Sequence, residues 1–251
     1  MTRATLHSSA GVIHVRRLPD TPAPFAAYVA HELRTPLATQ RALLELALAD
    51  LDADTAAWRH VGNDVLEACK QQERLLEACL ALSRSQSGLS RCERVDLASI
   101  VAVLVRSRDL RGLTVNVRLG RALTTGDPEL IERLLDNLLV NAVRHNTVGG
   151  WIEVTAGRTG RQVLFTIENT GHTIPSDELT GLFEPFQQLS SQNTRSAGGL
   201  GLGLAVVKAV ADAHGAQINA RARPSGGLRV EVAFPATADK ASTSSEVLLT
   251  F

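Results

Sequence analysis

The chain is 251 residues long, with 26 Lys+Arg against 26 Asp+Glu and a formal net charge of zero. That length holds one large domain or two small ones, each able to bury a core. The charge balance excludes a general nucleic-acid or membrane-surface binder, which carries a basic excess. With 44% hydrophobic residues and a mean hydropathy of +0.03, the chain is not wholly disordered. No window reaches the roughly 18 uncharged apolar residues of a membrane span, and the N-terminal twenty residues lack the apolar run of a signal peptide. The three cysteines, Cys69, Cys79 and Cys92, have no CxxC spacing. Cys69 and Cys79 fall on one predicted helix about 15 Å apart, too far for a disulfide, so they read as packing thiols.

Residues 1–24 are polar, end in Thr21-Pro22-Ala23-Pro24 and read as a flexible N-terminal segment. From residue 25 to about 50 the apolar Val29, Leu33, Leu37, Leu44, Leu48 and Leu51 recur at helical spacing as one stripe. Asp50 to Thr55 is a turn. In the helix that follows, Trp58, Val61, Val65, Ala68, Gln72, Leu75, Cys79 and Leu82 form an unbroken heptad seam. Two antiparallel helices cannot cover both stripes alone, so residues 25–86 are expected to form a helical hairpin that pairs into a dimeric four-helix bundle. The alternative is that the seam packs within the chain. Gln72 in the seam would set register.

Residues 87–94 are a linker by composition, and residues 95–236 alternate helices and strands. Leu97 to Val105 reads as helix and Leu113 to Leu119 as strand. Asp127-Pro128 is a helix cap followed by proline at the first helical position, opening a helix to about His145. Trp151 to Ala156 and Gln162 to Ile167 alternate as strands. A helix from about Gly201 to His214 stops at Gly215, and Ala216 to Ala220 with Leu228 to Phe234 closes as a hairpin. Residues 237–251 read as a disordered tail. The order predicts an α+β two-layer sandwich, with helices on one face of an antiparallel or mixed sheet.

Three segments could carry chemistry. In His31-Glu32-Leu33-Arg34-Thr35-Pro36-Leu37 the histidine points away from the apolar stripe, about 200° round the helix from Val29 and Leu33. Pro36 should bend the helix just past it. An exposed imidazole beside a carboxylate is a nucleophile candidate, although a solvated helix face also carries such pairs. On the helix after Asp127, Asn137, Asn141 and Arg144 share the face opposite Ile131, Leu134 and Leu135. Carboxamide oxygens can ligate Mg²⁺ and an arginine can clamp phosphate. Gly198-Gly199-Leu200-Gly201-Leu202-Gly203-Leu204 runs into a helix, where bare backbone and a positive dipole end suit phosphate. It lacks the context of a Rossmann loop and the ending of a P-loop.

Together and in this order, the segments resemble the sensor histidine kinases of two-component signalling. Residues 31–37 (HELRTPL) are similar to the H box, 134–146 (LLDNLLVNAVRHN) to the N box, and 168–175 (ENTGHTIP) to the first glycine box. Phe183-Glu184-Pro185-Phe186 is similar to the F box and 198–208 (GGLGLGLAVVK) to the second glycine box. The resemblance implies a dimerisation and phosphotransfer bundle followed by an ATP-binding domain of the gyrase–Hsp90–kinase–MutL type. It implies that His31 takes the γ-phosphoryl group, that Glu32 assists as base, and that Thr35 orients water for dephosphorylating the partner. Asn141 would ligate Mg²⁺, and Asn137, Arg144 and His145 would line the ATP pocket with Asn169, Gly171 and Thr173. Gly199, Gly201 and Gly203 would border the phosphates, with Leu204 beside them. Gln187 to Ala197 would be a lid bearing Arg195 as a phosphate contact. The implied partners are a response-regulator receiver domain and a second copy of the chain through residues 25–86. No nucleic acid is expected. The implied location is cytoplasmic, on its own or as the cytoplasmic portion of a membrane-anchored sensor.

Two departures from the family pattern stand out. Asn169 occupies the place of the usual adenine-reading Asp, and Thr173 replaces the second glycine of that box. An Asn carbonyl still accepts the adenine hydrogen bond, without charge assistance, and the Asn-Thr-Gly order is similar to vancomycin-response-type sensors. Upstream, Pro22 and Pro24 interrupt the coil that feeds the first helix in relatives. These departures keep a second expectation open, a degenerate kinase acting as a regulator-binding module or phosphatase.

Overall fold

A computed structural model describes residues 13–14, 22–50, 54–86, 89, 91–110, 112–176, 178–187, 201–237 and 247–250. The chain divides into two units, Leu18–Leu80 and the remainder comprising Met1–Arg17 with Ala81–Phe251.

The first unit is built from α1 (Pro22–Ala49) and α2 (Thr55–Gln86). Pro22 and Pro24 lie in the first turn of α1, where a missing N–H costs nothing, and the residues immediately before them lie outside the described ones. The helix also runs through Pro36. Asp54 opens α2, its carboxylate accepting from the Ala57 N–H at 2.8 Å. The face of α1 that turns inward carries Leu33, Pro36, Gln40, Leu43 and Ala47, with Gln40 and Ala47 buried. This differs from the expected stripe: Leu37 is 55% and Leu48 69% exposed. The helix has two apolar edges about one residue apart in phase, and counting leucines picks the outer one. Gln40 Nε2 lies within reach of Gln72 Oε1 (3.3 Å), Cys69 Sγ (3.3 Å) and the Val65 carbonyl (3.5 Å), so a polar cluster sits where the hairpin closes.

In the second unit, β2 (Glu93–Asp96) pairs antiparallel with β4 (Leu123–Gly126) as a separate two-stranded sheet. The expected linker at 87–94 therefore already contains the start of a strand, too short to show alternation. Asp96 caps α3 (Leu97–Ser107) by accepting from the Ala98 N–H at 3.1 Å. Asp127 accepts from the Glu129 and Leu130 N–H groups at 3.0 and 3.3 Å and Pro128 fills the first helical position, so α4 runs Pro128–Arg144.

The main sheet contains β1 (Ile13–His14), β3 (Thr114–Leu119), β5 (Trp151–Thr159), β6 (Gln162–Asn169), β7 (Gln217–Ala222), β8 (Leu228–Pro235) and β9 (Val247–Thr250). Their order is β1-β7-β8-β6-β5-β3-β9, with β3 and β5 parallel and every other pair antiparallel. The parallel pair needs a crossover, which α4 supplies. The two outermost strands correct the reading of both termini: Ile13–His14 hydrogen-bonds β7 within the expected flexible segment, and Val247–Thr250 pairs with β3 within the expected tail. Open edges of β7 and β3 present unpaired N–H and C=O groups to any extended segment, and composition alone does not register that demand.

Helices cover one face. Strand residues alternate so that Val115, Val117, Ile152, Val154, Phe165, Val230 and Val232 are buried against Leu134, Leu135 and Leu138 of α4 and the mostly apolar α5 (Gly203–Ala213). Each fully buried Leu or Val is worth about 1.5–3 kcal/mol, which fixes α4 with its polar face outward. The other face of the sheet is polar and ion-paired.

Candidate functional site

The polar face of α4 carries the predicted residues in order. Asn137 is half-buried and its Nδ2 donates to the Arg133 carbonyl at 2.8 Å. Its Oδ1 faces Gly203, where an added Cβ would lie 3.1 Å from it. Asn141 and Arg144 follow on the same face, both half-buried. His145 ends the helix, its N–H donating to the Asn141 carbonyl at 3.0 Å. The pKa of the His145 imidazole is held below its ordinary value, first by desolvation and then by the neighbouring Arg144 and His172. Part of the residue remains exposed, so the ring presents a neutral, accessible face at pH 7.

The first glycine box meets the far end of α4. Asn169 is the last residue of β6, 5% exposed, and its Nδ2 donates to the Thr170 carbonyl at 2.7 Å. Gly171 tucks under the helix end, where a Cβ would come within 2.5 Å of the His145 carbonyl oxygen. Thr173 is exposed. Thr170 Oγ1 donates to Asn146 Oδ1 at 2.6 Å and accepts from the Trp151 N–H at 2.8 Å, tying the loop to α4 and β5.

Sequence reasoning missed the other half of this loop's support. The β7–β8 turn, Arg223 to Gly227, clasps residues 169–172. The Gly227 N–H donates to the His172 carbonyl at 2.9 Å. Gly227 has φ +100, and a Cβ there would overlap the Asn169 carbonyl oxygen; one on Gly226 would overlap that of Gly171. The signal was Gly226-Gly227 before an alternating strand, inside the expected closing hairpin.

The second glycine box joins from a third direction. Gly201, at φ +66, accepts at its carbonyl from the Phe186 N–H at 2.9 Å, and Phe186 itself sits at φ 67. Phe183 is buried. The F box and the second glycine box are thereby pinned to each other, on either side of residues 188–200. Gly203 and Leu204 begin α5, whose N-cap Leu202 makes no side-chain capping bond. Arg195, Gly199 and most of the expected lid lie outside the described residues, as do the side chains of His31 and Glu32 on α1. Thr35 is exposed on α1.

The chain matches the family described as "His Kinase A (phospho-acceptor) domain" over residues 24–88 and that described as "Histidine kinase-, DNA gyrase B-, and HSP90-like ATPase" over residues 126–238. It is 37% identical over 216 residues to the sensor protein CutS of Streptomyces coelicolor, covering 84% of this chain and 52% of that protein. The chain belongs to the two-component sensor histidine kinases. It is also 32% identical over 244 residues to the alginate biosynthesis sensor protein KinB of Pseudomonas aeruginosa, covering 91% of this chain and 40% of that protein. The solved histidine kinase AdeS of Acinetobacter baumannii shares its fold with a TM-score of 0.64 at 22% identity, over 83% of this kinase chain and 98% of the other. The chain spans about half the length of the curated kinases it matches. Among the described residues no helix is long and apolar enough to cross a membrane.

Proposed function

We propose that the chain is an ATP-dependent protein-histidine kinase in which residues 95–236 bind magnesium ATP and residues 25–86 supply the acceptor histidine. The observation that carries this reading is the convergence on α4: Asn137 faces Gly203, and Gly171 closes on the carbonyl of His145. Three separate sequence boxes thus border one polar helix face.

The donor set suits a nucleoside triphosphate. Asn169 keeps an acceptor oxygen for an adenine amino group, His145 offers a neutral ring, and Arg144 offers a cation. The uncapped start of α5 leaves N–H groups at Gly203 and Leu204 for phosphate oxygens. Asn141 would hold Mg²⁺ together with the phosphates, and a bound ion there neutralises triphosphate charge. Arg195 and Gly199 are assigned to the closing segment, and Thr173 to the rim of the base pocket.

For transfer, a ring nitrogen of His31 forms a bond to the γ-phosphorus as the bond to the bridging oxygen breaks and ADP leaves. Glu32 takes the ring proton. The phosphoryl group then passes to an aspartate of a response-regulator receiver domain, with Thr35 positioned to orient water when the regulator is dephosphorylated. The exposed Leu37, Leu44 and Leu48 of α1 and Leu66, Leu76 and Leu80 of α2 support a homodimer through residues 25–86. A cytoplasmic site of action follows from the need for ATP.

Incubation with γ-labelled ATP tests the reading. The expected result is acid-labile label on the wild type and none on His31→Ala. Label that persists in His31→Ala overturns the acceptor assignment, and absence of ATP binding favours a regulator-binding module.

A further inference from the structure

Glu168 immediately precedes Asn169 and, by the alternation of a strand, lies on the opposite face of the sheet. There it stands directly across from Glu153 of β5 in the strand register, two carboxylates side by side. Three arginines pair with them. Arg118 pairs with Glu153, Arg229 Nη1 donates to Glu168 Oε2 at 3.2 Å, and Arg223 Nε donates to Glu168 Oε1 at 2.7 Å. Arg223 and Glu168 are the shielded pair, with side chains 16% and 17% exposed.

Arg223 does more than neutralise. Its Nη1 donates to the Gly226 carbonyl at 2.6 Å, its backbone N–H donates to the Gly227 carbonyl at 3.0 Å, and its own carbonyl accepts from the Gly226 N–H at 3.0 Å. Its guanidinium lies 4.6 Å from the centre of the Trp151 ring. One side chain therefore links the end of β7, the turn, the residue before Asn169, and the first residue of β5. The turn it braces is the one whose Gly227 meets the Asn169 carbonyl and whose N–H holds His172.

We propose that Arg223 is a positioning residue for nucleotide recognition, bracing the base-reading loop 169–172 from the back of the sheet through Glu168 and the Gly226-Gly227 turn. The proposal rests on the reading of that loop as the base-binding side of the ATP site. A planar fork is needed because two acceptors in different directions must be held at once; a lysine supplies the charge but only a point donor. Arg223 pairs with Glu168 on the sheet face opposite Asn169, so its effect falls on how well the loop is pre-formed rather than on phosphoryl transfer.

The test uses the full chain carrying Trp58→Phe, which leaves Trp151 as the only one of the two tryptophans. Arg223→Gln, Arg223→Lys and Glu168→Gln are compared for ADP binding, for KM and kcat of autophosphorylation, and for the change in Trp151 emission on adding ADP. Arg223→Gln should raise the ADP dissociation constant and KM for ATP about tenfold, the scale of one lost charge-assisted hydrogen bond. kcat at saturating ATP should stay within about twofold. Arg223→Lys should recover part of the loss, and the ADP-induced emission change should shrink in parallel. Arg223→Gln combined with Glu168→Gln should cost less than the sum of the two. Wild-type affinity in Arg223→Gln and Glu168→Gln overturns the proposal while leaving the ATP site intact. A wild-type chain that binds no nucleotide overturns both. If Arg223→Gln does not fold, Glu168→Gln and Arg223→Lys decide by the same criteria.

Discussion

His214 makes the stability of the catalytic unit depend on pH in a direction that can be worked out beforehand. Its ring is buried at 7% exposure, edge-on to Phe234 with ring centres 6.3 Å apart. Nε2 accepts from the Asp127 N–H at 3.0 Å, and Nδ1 lies 2.7 Å from the Val210 carbonyl, so Nδ1 carries the proton. A Cβ on Gly126 would collide with the ring, which leaves no room for it to turn. Protonating Nε2 would replace an acceptor with a donor that faces another donor. Desolvation accordingly lowers the pKa of His214, against smaller raising effects of the Val210 carbonyl and Asp127.

Because the folded value lies below the unfolded one, the unfolded chain takes up the proton first as pH falls. The contribution is fully present above the unfolded value of about 6.5 and is lost as pH drops from there toward the folded value. One proton corresponds to at most about 1.4 kcal/mol per pH unit for as long as the folded ring stays neutral and the unfolded one is charged. The perturbation is His214→Gln, which offers an acceptor to Asp127 and does not titrate. Urea unfolding at pH 8, 7, 6 and 5, followed by Trp151 emission in the Trp58→Phe background, reads the second unit by itself. At pH 8 the variant should be about 1 kcal/mol less stable, having lost the bond to Val210. That gap should narrow steadily as pH falls below about 6.5, while carboxylates and the remaining histidines cancel in the difference. Wild-type and variant curves that run parallel from pH 8 to 5 would refute the reasoning.

Gly227→Ala should remove about 2–4 kcal/mol of stability and most nucleotide affinity, since it adds strain at positive φ to a collision with the Asn169 carbonyl; urea unfolding and ADP titration check it, and near wild-type values for both would refute the clasp. Asn169→Asp brings the residue back to the common family type, yet it sets a carboxylate against the Thr170 carbonyl where Nδ2 now donates at 2.7 Å. We expect a loss of about 1–3 kcal/mol of stability and no gain in ADP affinity, and tighter binding by calorimetry without destabilisation would contradict this. Gln72→Leu removes a buried Nε2 that has no hydrogen-bond partner among the described residues, at the cost of one bond from Gln40. A net gain of about 1 kcal/mol is expected from melting of the hairpin followed by Trp58 emission, and a lower midpoint would show that the polar cluster is stabilising.

The elements that were legible in the sequence are those whose signals are local. Asp127-Pro128 announced α4, the leucines of 130–139 its buried side, and Gly215 the end of α5, and each lies within two residues of its expected place. Elements whose cause is elsewhere in the chain were not legible. Glu93–Asp96 is a strand because Leu123–Gly126 lies beside it, and Val247–Thr250 because β3 has an open edge. On α1 the inward side is set by what α2 can accommodate, which put Gln40 inside and Leu37 outside. At the site, the boxes on α4, on the 169–171 loop and at Gly203 were each visible, and the structure brings them together. Arg223 was not visible, because an arginine after a strand is usually a solvated end and only the register across β6 and β8 gives it Glu168 and Trp151 as neighbours.

The two supports described, His214 at one end and the glycine clasp at the other, act on the same helix. α4 is 17 residues long, about 25 Å, and its start is held by the Asp127 N–H on His214 while its end is held by the His145 carbonyl against Gly171. Between them the buried leucines fix its rotation, which decides that Asn137, Asn141 and Arg144 face the same way. Neither support lies on the polar face of α4, and each arrives from a different strand or helix of the unit. A polar row on a helix carries no chemistry until its rotation and both its ends are set, so the residues that orient the polar face of α4 are in part residues outside that face. This explains why the asparagines alone said little in the sequence, and why they had to be read together with the glycines of the two glycine boxes, Gly171 and Gly203, which are needed for a close approach rather than for contact through a side chain.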